Sequence, residues 1–406
     1  MNVLQVIHGY PPYYMAGSEV YTYNLVRELA NHCDVSVFTR IENPFEPPYT
    51  CEDGIEGSVK IRRVNNPERD YTLADKYLNP EIDRLFREYM EMVKPNIVHI
   101  GHLSHLSTNI VTIAKEEFHT PVVYTLHDFW LHCFRGQLIT PANTLCQGPG
   151  SDACMKCVWQ KFKTSESQES FESYRKRMLA VIDLIDLFIA PSLHIQDFFR
   201  EHGVPGERIV HARYGFESDL VKPHSKMFSK DSPVTFGFMG RVIPVKGVDI
   251  LIKAFTAIPD ESARLLVFGS AGSTTPFLQR LGNDRVRFMG GYDNRDIDRT
   301  LSEIDVLVAP SIWCEVSPLV IQEAFLAGIP VITTGIGGMA ELVTDGVNGF
   351  TVPPGDQNAL EAVMRSIIEN PEILNRIRPS RDSVVPIEKH GDIIRSIYRR
   401  VLDGTS

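Results

Sequence analysis

The chain reads as an α/β protein built from two doubly wound domains facing a central cleft, and three observations predict this. Its 406 residues exceed one ordinary domain of roughly 100–200 residues. Short apolar runs alternate with amphipathic stretches almost from end to end, which is the pattern of parallel strands covered by helices. That alternation breaks at the polar, proline-bearing residues 221–233 and then restarts, so a linker is expected there.

Strands of the first domain are expected at residues 3–7, 35–38, 97–100, 122–126 and 187–190. Helices are expected at 18–31, 81–93 and 104–117; in the first of these Tyr21, Leu25, Val26 and Leu29 recur at helical spacing. The second set of strands falls at 235–239, 265–268, 286–289, 306–309 and 331–334. The expected division is therefore 1–220 and 221–387, with a closing helix in 388–406 packing back on the first domain.

Apolar residues make up 43% and charged residues 23%, enough for two ordinary cores. A net charge of -10 and a pI near 5.7 exclude a nucleic-acid partner, which needs clustered Lys and Arg. No run approaches the ~20 apolar residues of a membrane span. Residues 2–7 read as a buried strand rather than a secretory leader, so a cytoplasmic location is expected, with peripheral membrane association left open.

In doubly wound domains, loops at the carboxyl ends of strands carry the chemistry. After the first strand, residues 8–17 end in Gly17, where backbone comes close to a ligand, and lead to a helix start that favours anions. No G-x-G-x-x-G stands here, which counts against a dinucleotide-dependent oxidoreductase. After the first strand of the second domain, Arg241 and Lys246 lie five residues apart between Gly240 and Gly247, placed to grip a diphosphate from two sides.

Residues 310–328 are the richest stretch. Glu315 follows a strand; Ser317 is a good N-cap and Pro318 a good first helical residue, so a helix is expected to begin there. Open N–H groups of that first turn, at Leu319 and Val320, favour a phosphate. Glu323 then lies ~9 Å along the axis, at ~1.5 Å per residue, within reach of a second part of the same ligand. Two carboxylates suit a row of hydroxyls. In the first domain, His127 at another strand end is placed to meet a sugar hydroxyl.

Taken in this order, these elements resemble the retaining glycosyltransferases of family four, which have the GT-B fold of two Rossmann-like domains. The E-x7-E motif is matched by Glu315 and Glu323, and G-R-x-x-x-x-K-G by Gly240, Arg241, Lys246 and Gly247. Ala16-Gly17-Ser18-Glu19 matches the glycine-rich loop, and His127-Asp128 falls where the family has its active-site His. The resemblance implies that Arg241 and Lys246 hold a donor diphosphate, that Glu323 holds the ribose and that Glu315 contacts the transferred sugar. It implies that His127 lines the sugar site, that Gly290, Gly291 and Tyr292 cover the base, and that Gly17 approaches the phosphates or the acceptor. The expected reaction moves a hexose from a nucleotide sugar, UDP-glucose first, to a hydroxyl of a saccharide or lipid-linked acceptor in polysaccharide synthesis. No further cofactor and no catalytic divalent metal are expected. The rival readings are a silent sugar-nucleotide-binding protein, and a phosphorylase or epimerase on the same fold. The family's glycine-bearing stretch after the first Glu is replaced here by Val316-Ser317-Pro318. Separately, Cys133, Cys146, Cys154 and Cys157 cluster in sequence with one C-x2-C knuckle, consistent with a structural zinc, free thiols or a disulfide.

Overall fold

The computed structural model describes residues 1–67, 72–162, 168–270, 272 and 275–404. Two compact units emerge: Met1–Pro141, Cys146–Gly215 and Ile387–Ser406 form one, and Ala142–Leu145 with Phe216–Pro386 the other.

The first unit is built on eight strands: β1 (Asn2–Ile7), β2 (Asp34–Ile41), β3 (Cys51–Glu56), β4 (Val59–Asn65), β5 (Ile97–Ile100), β6 (Val122–Thr125), β7 (Leu187–Ala190) and β8 (Ile209–His211). Their order is β3-β4-β2-β1-β5-β6-β7-β8, parallel except for β3 against β4. From β1 the chain winds outward to β2 and β4, then returns to β5 on the other side of β1. The interior strands β5, β6 and β7 are buried along their whole length, as expected of a sheet covered on both faces.

After the short strand β9 (Gly215–Phe216), the second unit repeats the scheme with β10 (Thr235–Met239), β11 (Arg264–Phe268), β12 (Val286–Gly290), β13 (Val306–Ala309), β14 (Val331–Thr334) and β15 (Gly349–Val352). The order β12-β11-β10-β13-β14-β15 is parallel throughout. Its winding reverses between β10 and β13. Crossover connections leave in opposite directions there, so the loops at their carboxyl ends part and leave room for a ligand.

Hydrophobic spacing explains the helices. In the helix Val248–Thr256 the residues Val248, Leu251, Ile252 and Phe255 are buried against Phe236, Val267 and Val308. The helix Pro80–Val93 starts on Asn79, whose side chain accepts from the N–H groups of Glu81 (3.1 Å) and Ile82 (3.2 Å). The last helix, Ile387–Leu402, packs on the helix Gly17–Ala30, with Tyr21 Oη 2.8 Å from His390 Nε2 and His99 Nδ1 2.6 Å from Tyr398 Oη.

One local expectation differs, and two features go beyond what was expected. The hairpin of β3 and β4 has no apolar alternation in β3, because that edge strand is exposed and held by Arg62–Asp53 and Arg63–Glu56 ion pairs. The helix expected at 104–117 begins only at Asn109, since His105 turns with φ of 60°. Residues 221–233 are irregular as expected, yet Phe228 from that segment is buried in the core of the second unit.

Candidate functional site

At the end of β10, Gly240 leads into the loop that carries both cations. Arg241 is exposed, and its guanidinium makes no hydrogen bond or ion pair with other described residues. Lys246 ends a short turn, Pro244–Lys246, that is closed by Gly247 in the left-handed region at φ 69°. A Cβ on Gly247 would lie 2.2 Å from the carbonyl oxygen of Pro310, so only glycine lets this turn approach the loop after β13. The two loops are also tied by the Ile312 N–H, which donates to the Val245 carbonyl at 2.9 Å.

That approach joins residues 69 apart in sequence: Lys246 Nζ donates to Glu315 Oε2 at 2.7 Å. Glu315 is 6% exposed, and its Oε1 accepts from the hydroxyl of Ser311. A buried carboxylate needs such partners, because unpaired charge is costly to take out of water. Lys246 also lies 5.9 Å from the ring centre of Trp313. From the other side, Gly337 and Gly338 back the loop: the Gly338 N–H donates to the Glu315 carbonyl at 2.7 Å, and a Cβ on Gly338 would meet the Val316 carbonyl at 1.7 Å.

The helix starts slightly later than its cap signals predict. It spans Leu319–Ala327, with Pro318 at the N-cap and no side-chain cap, while the Ser317 hydroxyl accepts from Gln322 Nε2 at 3.1 Å. Pro318 still terminates the preceding loop, as its fixed φ and absent N–H favour. The first-turn N–H groups at Leu319 and Val320 thus stay open for an acceptor. Val316 is buried, so its bulk is turned into the protein.

Glu323 is half-buried, and no hydrogen bond or ion pair with another described residue holds its carboxylate. Burial pushes that carboxyl up to about 7. Tyr292 lies close enough for the charge of Glu323 to raise its phenol further, after burial has already raised it. Tyr292, in the loop from Gly290, is thus near enough to feel the charge of Glu323 in the second turn of the helix. Arg241, Lys246, Glu315, Glu323 and Tyr292 all belong to the second unit.

His127 and Gly17 belong to the first. His127 follows β6; its Nδ1 is 2.6 Å from Tyr214 Oη, and its buried Nε2 has no hydrogen-bond partner among the described residues. Burial, then His102 and His99, keep its pKa well below the usual range, so the ring is neutral. Gly17, exposed, is the first residue of the helix Gly17–Ala30. Beside it Glu19 is buried and 3.3 Å from His8 Nε2, while His102 Nε2 is 3.2 Å from Asp128 Oδ2. The His102 Nδ1 accepts from the Ser104 N–H at 3.0 Å, which puts the ring proton on Nε2, toward Asp128.

Glu19 was legible as part of the glycine-rich loop, and His8, Ser311 and Trp313 lay in loops already singled out, but none of these four was given a role in the site, and Tyr214 carries no motif. The His8–Glu19 and Ser311–Glu315 pairings appear only in the fold. Cys133, Cys146, Cys154 and Cys157 are all free thiols. Burial raises the thiols of Cys133, Cys154 and Cys157. Among the described residues no three His, Cys, Asp or Glu side chains are gathered to hold a metal.

Comparison with known proteins adds independent findings. The family model described as Glycosyltransferase Family 4 matches residues 15–219, and Glycosyl transferases group 1 matches residues 223–381. The D-inositol 3-phosphate glycosyltransferase of Mycobacterium sp. (strain KMS) is 24% identical over 362 residues, covering 84% of this chain and 75% of the relative. Sucrose-phosphate synthase from Thermosynechococcus elongatus superposes with a TM-score of 0.74 at 20% identity, over 100% of both chains. Anabaena HepE, solved in complex with UDP and glucose, superposes with a TM-score of 0.68 at 20% identity, over 98% of this chain and 99% of that one.

Proposed function

This chain belongs to glycosyltransferase family 4, with the GT-B fold, and from that premise we propose that it is a retaining hexosyltransferase using UDP-glucose. That it is a glycosyltransferase drawing on a nucleotide sugar follows from the family and its relatives. The proposed acceptor is a hydroxyl of a saccharide or lipid-linked saccharide in polysaccharide synthesis, reached by peripheral association with the inner face of the membrane. No helix among the described residues is long and apolar enough to cross one.

The observation that carries this reading is Arg241, unpaired among the described residues, in the same loop as Lys246, at the loop ends where the second sheet reverses its winding. Two cations and an uncapped helix start at Leu319 and Val320 match a diphosphate. In the proposed mechanism they stabilise the negative charge that develops on the leaving diphosphate, without a dedicated divalent metal. Glu323 takes the ribose hydroxyls, Tyr292 with Gly290 and Gly291 covers the base, and Glu315 stands beside the transferred sugar. His127 lines the sugar through its 6-hydroxyl, and Gly17 lets a donor phosphate or the acceptor come near. A donor phosphate oxygen takes the acceptor proton on the face the diphosphate leaves, so the anomeric configuration is kept. A uridine donor is favoured by the likeness to HepE, which was solved with UDP and glucose.

A panel of UDP-, GDP- and ADP-sugars, read by thermal shift and then by release of the nucleoside diphosphate, tests the proposal. Stabilisation by UDP-glucose and an α-linked product by NMR are expected. Inverted product, or stabilisation by another nucleotide sugar alone, would overturn the donor or stereochemical part.

A further inference from the structure

Resting on that reading of the donor site, we propose that Glu315 is a positioning residue that acts through Lys246 on the donor diphosphate, and that Ser311 holds it in place. Both oxygens of the Glu315 carboxylate are already engaged, Oε2 by Lys246 at 2.7 Å and Oε1 by Ser311. Its side chain is 8% exposed, whereas that of Lys246 is 22% exposed. The carboxylate is thus turned inward on protein groups, and it is the ammonium that meets solvent.

A lysine has three N–H donors on a flexible stem. Glu315 uses one, which leaves two on the open side for phosphate oxygens. Without a fixed anion behind it, the ammonium would sample many rotamers and would be ordered only at the expense of binding. Buried hydrogen bonds hold the groups behind the pair. Ser311 is 2% exposed, and its carbonyl accepts from Thr334 Oγ1 at 2.6 Å. The Glu315 carbonyl is held by the Gly338 N–H at 2.7 Å. The chain from β14 through Ser311 and Glu315 to Lys246 therefore aims a charge at the diphosphate position.

The two roles for Glu315 separate on a ligand that has no sugar. Calorimetric titration of the full-length protein with UDP, and with UDP-glucose, compares wild type, Glu315→Gln, Ser311→Ala, Lys246→Met and the double variant Lys246→Met with Glu315→Gln. The expected result is that Glu315→Gln weakens UDP and UDP-glucose alike, by about tenfold, as loss of a charge-assisted contact does. Ser311→Ala shifts both in the same direction by a smaller factor. In the double variant Glu315→Gln adds no further loss, because its partner has gone. Unchanged UDP affinity in Glu315→Gln and Ser311→Ala, with loss confined to UDP-glucose or to turnover, would overturn the proposal in favour of a sugar contact. A lower melting temperature at unchanged UDP affinity would also overturn it, in favour of a purely structural pair. Failure of the wild type to bind UDP would instead overturn the uridine donor reading, and this inference with it.

Discussion

Lys246 and Glu323 show how burial sets the behaviour of single residues in the proposed donor site. The Lys246 ammonium is anchored on a buried carboxylate, so Lys246→Ala removes the charge and leaves Glu315 without its cation. Transfer is expected to fall by about a hundredfold or more, while far-UV circular dichroism stays at the wild-type level. Wild-type turnover in that variant would refute the assignment of this loop. Glu323 behaves differently, having no cation among the described residues. Burial raises its carboxyl from 4.5 to about 7, so between those pH values the folded state holds a proton that the unfolded chain has released. Its contribution to stability is present below pH 4.5 and is lost as the pH rises through about 7. Glu323→Gln is therefore expected to melt progressively above wild type from pH 5 to pH 8, while binding donor more weakly. Parallel melting curves for the two proteins across that range would contradict the raised carboxyl.

Among elements, the loops after β10 and β13 matter most, and their approach depends on small residues. Gly247 sits 2.2 Å, measured from a hypothetical Cβ, from the Pro310 carbonyl with φ of 69°. Gly247→Ala is expected to cost about 1–3 kcal/mol from backbone strain and to separate Lys246 from Glu315. UDP affinity should fall with it, which calorimetry measures; unchanged affinity would show that the loops tolerate the shift. The carboxyl-terminal helix Ile387–Leu402 offers a second case. Tyr398 Oη lies 2.6 Å from His99 Nδ1, and both side chains are fully buried. Tyr398→Phe leaves that nitrogen unpartnered, and a loss of about 1–3 kcal/mol is expected in denaturant unfolding. The helix itself was legible as a late amphipathic stretch. Its anchors were not, because Tyr21 with His390 and His99 with Tyr398 pair across more than half of the chain.

For the whole molecule, the two units carry very different numbers of histidines, which gives them different acid stability. Thirteen are present, and within Ala142–Leu145 and Phe216–Pro386 the only one is His224. In the first unit, burial lowers His99 and His105 to about 3 and His132 and His390 to about 4. These rings are neutral when folded but take protons freely when unfolded, so stability falls as the pH drops from 6.5 towards those values. Hydrogen exchange at pH 5 is expected to show protection lost in β1, β5 and β6 before β10, β13 and β14. Loss of protection in the second unit first would count against this.

The two doubly wound sheets were legible in the sequence because a parallel strand buried on both faces must be a short, continuous apolar run, and such runs stand out. The motif glycines and charges were legible too, since each depends on local backbone geometry or on a fixed spacing. Tertiary structure alone decided which of those charges meet. Sequence placed Glu315 and Glu323 as paired carboxylates, but folding gave one of them a lysine and a serine and left the other half-buried with a raised pKa, without a cation among the described residues. It also decided the helix start at Leu319 and the role of Ser311, neither of which a cap preference could resolve. The physical reason is the same in each case. Propensity and periodicity act over a few residues, whereas burial, pairing and desolvation are set by groups that only the fold brings together.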